Sequence, residues 1–530
     1  MLLPRSIGAP LAIMVWCALS TALIGGQRNA VSTNIDQLIQ KHWEANSVEP
    51  AELADDATFL RRSSLDLLGR IPTVGEVEQF LADKASDKHF KLIQRLTGSP
   101  EFPLHFGNVL DQMIQGRYAG NEAFVDYLRC GLRDGKSWDV FFREMMIGPW
   151  DSDDLKPANR FLDKRAKTFD TLASDAARVF FGVDISCAKC HNHPMVDDWT
   201  QHHFYGMASF FHRTTGGKGS VSEKTSGDLK FMDEGGVERV AKLMFLSGEV
   251  IAEPSEAELK SKNIKRTSRR KQLVEIALVE KTFFSRSFVN RMWEYFFGQG
   301  LVTPVDQMHS QNRSAVAGLL ESLADQFVAN GYDVRKLVIG IVGSRVYRLS
   351  SEWNDDSPLP DERLFAVALL RPLSRQQLAF SMLLATGGAR LTESDQRQSR
   401  VEKLVGVKGI KRVEDYLSIE QRGSELSAWL DARSPEFQSS AGEALFMSNH
   451  EMSQKLIGAT EQNLTGQLSS ITDSRQIVET ALVNVFSRPP REEELTRLVE
   501  WFDRQEMERS KKCELLVWAL IASAEFRFNH

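Results

Sequence analysis

The chain reads as a mainly α protein, with two helical domains joined by a connector that carries a small β-hairpin. Three observations predict this. Apolar residues recur at three- and four-residue steps through most of the 530 residues; helix starts and stops carry their own chemistry; and weak two-residue alternation is confined to the stretch between Leu229 and Val250. With 42% hydrophobic and 26% charged residues, the composition is that of a globular chain and excludes both a polytopic membrane protein and a disordered one. A net charge of −6 gives no electrostatic basis for a nucleic-acid partner.

Taken in order, Arg5 precedes an apolar run from Ile7 to Gly25, and Ser20-Thr21-Ala22 supplies the small-x-small pattern of a cleavage site. Residues 1–30 are therefore expected to be a signal peptide or N-terminal anchor. The expected location is extracytoplasmic, in the periplasm or at the cell surface, with membrane contact only through this segment if it stays uncleaved. Residues 31–214 follow as the first helical domain. Helices are predicted from Ile35 to Trp43 and from Asp56 to Leu68, and Gly69-Arg70-Ile71-Pro72 ends the second. Thr73 with Glu76 three positions on is a capping box for the next, and Lys88 to Leu96 is another, stopped by Gly98. From Asp170 to Ile185, Leu172, Ala176, Val179, Phe180 and Val183 share one stripe. This predicts a helix that delivers the chain to Cys187, with Phe180 and Phe181 as an apolar wall. Asp197-Asp198-Trp199-Thr200 caps a helix through Phe204, Met207 and Phe211.

Residues 215–270 form the predicted connector. Thr214 to Thr225 reads as a loop, Gly235-Gly236 as the turn of a hairpin, and the basic run Lys260 to Lys271 as solvated chain. Residues 271–530 are the second helical domain: Leu273 to Leu278, Phe288 to Phe297, Val316 to Phe327, Val334 to Val342, a helix from Ser487-Arg488-Pro489-Pro490 to Met507, and Leu515 to Ala522. Trp293, Tyr295, Phe296 and Phe297 read as core. The acidic groups at Asp151, Asp153 and Asp154 and at Asp355-Asp356 lack calcium-loop spacing and read as turns.

The chemistry is concentrated in Cys187-Ala188-Lys189-Cys190-His191, a C-x-x-C-H. This spacing is that of covalent haem c, in which Cys187 and Cys190 form thioethers and His191 is the axial iron ligand. Met195, His202, His203, Met207 and His212 are candidates for the sixth ligand. Alternatively, Cys187, Cys190, His191 and His193 hold zinc or iron in a non-redox scaffold or binding protein, or the two thiols form a dithiol-disulfide pair. Cys130 and Cys513 are left either to pair or to stay as buried thiols. No P-loop, dinucleotide fingerprint or Ser-His-Asp order signal is present.

Asp55 to Arg62, Asp66-Leu67-Leu68-Gly69-Arg70-Ile71-Pro72-Thr73 and Cys187-x-x-Cys190-His191-x-His193-Pro194 with Trp199-Thr200-Gln201 resemble the planctomycete-type cytochrome-like family labelled PSCyt. Phe288-Val289-Asn290-Arg291-Met292-Trp293, Phe296 to Val302, Ser344 to Ser351 and Ala524 to His530 resemble its usual partner, the planctomycete-specific PSD family. The stretch Ser310 to Ser314 lacks the Pro-Ser-His-Pro pattern common there. The resemblance implies an exported, mainly helical protein in extracytoplasmic redox or polymer breakdown, with a redox partner or a polysaccharide-related substrate.

Overall fold

A computed structural model of the chain describes residues 29–193, 196–217, 219–254, 258, 261, 266–353, 358–387, 451–461 and 463–530. The predicted signal or anchor as far as residue 28, Met195 and Asp355-Asp356 lie outside these residues. Asn29 accepts from the Val31 N–H at 3.0 Å and opens α1 (Ala30–Ala45), whose buried stripe is Val31, Ile35, Ile39 and Trp43. Asp55 caps α2 (Asp56–Leu68), and the predicted Thr73–Glu76 capping box opens α3 (Val74–Ala82). α4 (Lys88–Thr97), α5 (Glu101–Gln115), α6 (Glu122–Arg133), α7 (Trp138–Ile147), α8 (Arg160–Arg165), α9 (Phe169–Phe181) and α10 (Gln201–Phe211) complete the first helical part.

Three antiparallel hairpins follow: β1 (Thr214–Gly217) with β2 (Ser220–Glu223), β3 (Lys230–Met232) with β4 (Glu238–Val240), and β5 (Leu243–Met244) with β6 (Val250–Ile251). The Gly235-Gly236 turn lies where the sequence places it, between β3 and β4. Thr214 to Thr225, expected as a loop, is instead mostly hairpin, because Asp163 Oδ1 accepts from both Gly217 and Gly219 N–H at 3.0 Å and fixes the turn.

Beyond the connector come α11 (Arg269–Glu280), α12 (Thr282–Phe297), α13 (Leu319–Ala329) and α14 (Val334–Val342). α15 (Arg375–Ala385), α16 (Glu451–Ile457), α17 (Leu464–Ser470), α18 (Ser474–Phe486), α19 (Glu492–Arg504), α20 (Arg509–Ala522) and α21 (Ala524–Arg527) end the chain, and β7 (Arg371–Pro372) pairs with β8 (Phe528–Asn529). The fold is thus mainly α, with helical parts on either side of small hairpins. No helix among the described residues is long and apolar enough to cross a membrane.

Packing joins the parts. One apolar core runs from Val31 to Ala366, and Trp138 of α7 stacks on Phe288 of α12 with ring centroids 4.4 Å apart. Such aromatic pairs contribute about 0.5–1.5 kcal/mol beyond area burial. A second core gathers α15 to α21 and takes in Leu65 of α2 and Ile71. The basic run does not stay solvated throughout. Arg269 and Arg270 are only 3% and 5% exposed, because Arg269 pairs with Glu253 (2.6 Å) and Asp228 (2.9 Å), and Arg270 with Glu223 (3.3 Å).

Candidate functional site: the Cys187–His191 turn

α9 ends four residues earlier than the stripe predicts. Gly182 takes the left-handed conformation (φ 69°) and turns the chain out of the helix, so the cysteines follow from a separate 3₁₀ turn, Ser186–Lys189. Asp184 organises that turn. Its carboxylate accepts from Ser186 N–H at 2.9 Å and from Arg178 Nη2 at 2.8 Å. Burial alone raises the Asp184 pKa, but the hydrogen bonds from Ser186 and Arg178 outweigh it and hold the group below its ordinary value.

Within the turn, Ala188 is fully buried and anchors the segment in the main core, while Cys187, Cys190 and His191 are exposed. Cys187 lies inside the 3₁₀ turn, and Cys190 is the residue that follows its last position. The backbone beneath is held from α10: Gln201 Nε2 donates to Cys190 O at 3.0 Å, and Gln201 N–H donates to Asn192 Oδ1 at 3.0 Å. From the β3–β4 turn, Glu234 accepts from both the N–H and the side-chain amide of Asn192. His193 N–H donates to Trp199 O at 2.8 Å, and Lys189 pairs with Asp170 of α9.

His191 Nδ1 lies 2.7 Å from Asn192 O. A carbonyl only accepts, so Nδ1 carries the proton and Nε2 keeps its lone pair for a metal. Two exposed thiols and such an imidazole are the donor types, by chemistry and spacing, that a covalent haem takes. The expected wall is not part of it. Phe180 and Phe181 are in the core, against Phe142, Phe161 and Phe245, because Gly182 ends the helix before their face reaches the turn.

The other predicted donors are dispersed. Met207 is fully buried, His203 Nδ1 accepts from Thr200 N–H at 3.2 Å, His202 is exposed edge-on to Phe231, and His212 packs on Phe169. His193 is half-buried; among the described residues no three His, Cys, Asp or Glu side chains converge to hold a metal ion. Cys187, Cys190 and Cys513 are free thiols, Cys513 buried in the second core, and Cys130 is half-buried on α6. Sequence reasoning missed Glu234, and it quoted Gln201 without assigning it a role. No local spacing links Glu234 to the motif, whereas Gln201, in the first turn of the capped helix, was open to notice.

Residues 34–216 match the family PSCyt2, protein of unknown function (DUF1549), and residues 269–502 match PSD1, protein of unknown function (DUF1553). No curated protein and no solved structure matches. The C-x-x-C-H turn falls inside the first match, and the order is the one the motifs lead one to expect, so the chain is similar to PSCyt2 over its first part and to PSD1 over its second.

Proposed function

We propose that this chain is an exported c-type-haem protein of electron transfer or redox chemistry, with the haem held by Cys187 and Cys190 and ligated by His191. The observation that carries the reading is the His191 Nδ1–Asn192 O hydrogen bond, which leaves Nε2 as the free donor beside two exposed thiols on a braced turn. When bound, the haem supplies one-electron chemistry. The chain's own residues hold and orient it: Ala188 pins the turn to the core, Gln201 and Glu234 fix its backbone, and the Asn192 carbonyl sets the imidazole tautomer. Because Cys187, Cys190 and His191 are exposed, a haem held by them would be within reach of a redox partner in solution, and its solvation would favour a low reduction potential. Work on polysaccharide breakdown is a role that the family resemblance alone suggests.

The test is the full chain, exported with its N-terminal segment in a host that has haem-maturation machinery. The expected result is one haem per chain, surviving denaturation and lost from a Cys187→Ser, Cys190→Ser variant. His191→Ala keeps the covalent stain and loses the low-spin spectrum. A colourless protein with stoichiometric zinc would overturn this in favour of the metal clip.

A further inference from the structure

The turn's neck is built by the other family. At its entry, Met308 N–H donates to Gly182 O at 3.0 Å, Val183 forms an antiparallel bridge with Gln307, and Asp184 N–H donates to Asp306 O at 2.7 Å. Arg178 ties the two acidic side chains together, with Nη2 on Asp184 at 2.8 Å and Nε on Asp306 at 3.2 Å. At the exit, the Asp198 carboxylate accepts from Ser310 N–H at 2.8 Å and from Ser310 Oγ at 2.6 Å. Both ends of the loop that carries the thiols thus rest on residues 306–310, which lie in the PSD1 match.

α12 of the same half supports the preceding helix. Arg291 Nη2 donates to Arg178 O at 2.6 Å and Ser287 Oγ to Val179 O at 3.2 Å, satisfying last-turn carbonyls of α9 that have no partner within the helix. The side chain of Met308 fills the space over Gly182, where a Cβ would lie 3.0 Å from its sulfur.

We propose that residues 306–310 of the PSD1 half are a clamp that positions the C-x-x-C-H turn, with Asp198 and Ser310 as its closing pair, so that the redox site belongs to both halves. The physical ground is loop entropy. A segment tied at both ends loses conformations in advance, and two thiols and an imidazole that act on one planar group need a fixed mutual arrangement. What the turn holds rests on the haem reading; the clamp itself does not. Asp198, Ser310 and Asp306 are positioning residues, since each acts through the backbone of the turn.

The experiment is hydrogen exchange by mass spectrometry on the full haem-free chain. Ser310→Ala and Asp198→Ala are expected to speed exchange between residues 185 and 199 by roughly ten-fold or more, the scale of a hydrogen bond to a charged group. Peptides from α9 and α10 keep wild-type rates, and Ser310→Thr restores protection. Unchanged exchange in the turn overturns the clamp, and so does an equal increase over the whole chain, which marks a general loss of stability. In haem-loaded protein, Ser310→Ala is expected to shift the reduction potential while the covalent stain stays; an unmoved potential overturns the positioning role. If the wild type takes no haem, the haem reading falls and the exchange result decides the clamp by itself.

Discussion

His105 shows how much one side chain's surroundings decide. It is 5% exposed on α5, its Nε2 lies 2.9 Å from Tyr295 Oη, and Tyr295 Oη donates to Asp66 O at 2.8 Å. The hydroxyl proton being used, Nε2–H must donate to it, which leaves Nδ1 bare and without a partner. Burial first, and the Arg129 charge second, push the His105 pKa down to about 3 from 6.5. The folded protein therefore keeps His105 neutral while the unfolded chain takes up a proton below about pH 6.5. The unfolded state binds more protons, so stability falls as pH drops from about 6.5 towards 3, by at most about 1.4 kcal/mol per unit from this group. His105→Gln keeps a donor for Tyr295 without titrating. Denaturant unfolding of both proteins between pH 7 and pH 4 is expected to show their stability difference narrowing as pH falls; parallel curves would disprove the assignment.

At the scale of elements, the break between α9 and the cysteine turn rests on Gly182. Any other residue at φ 69° carries the left-handed penalty of about 1–2 kcal/mol, and a Cβ there also meets the Met308 sulfur. Gly182→Ala is therefore expected to lower unfolding free energy by about 1–3 kcal/mol, with the change read from the denaturation midpoint. A loss under about 0.5 kcal/mol would mean that the helix end is not set by this conformation. The same break explains why α9 stops short of its stripe. Val183 has the right apolar phase, but it pairs with Gln307 instead of continuing the helix.

For the whole molecule, α2 is the tie between distant parts of the chain. Asp66, fully buried, accepts from Tyr347 Oη at 2.7 Å, Asn529 Nδ2 at 2.8 Å and Arg371 Nη2 at 2.7 Å. Its neighbours reach as far: Arg62 donates to Leu349 O and His530 O, and Arg61 to Phe526 O. Arg371→Ala would leave a buried carboxylate without its cation, a loss of about 3–5 kcal/mol. Because Leu65 and Ile71 extend into the second core while the rest of α2 lines the first, both cores are expected to lose stability together. Urea unfolding followed by Trp138-side and Trp501-side fluorescence in single-Trp variants would show one shared transition, and two separated transitions would refute this.

By itself the sequence determined helices such as α1, α2, α4 and α14, the Thr73–Glu76 box, the Gly235-Gly236 turn and the C-x-x-C-H, though not α5 to α8 or α15 to α18, because helix periodicity, capping and turn geometry act over a few residues. It also carried the resemblance to PSCyt2 and PSD1, through motifs that stand in order along the chain. Only the tertiary structure decided that Arg269 and Arg270 are buried, that Phe180 and Phe181 belong to the core, and that the turn is held by Gln201, Glu234 and residues 306–310. A charge is buried only where a partner meets it, and those partners lie tens to hundreds of positions away. Local propensity has no reach over such distances; contact made by the folded chain does.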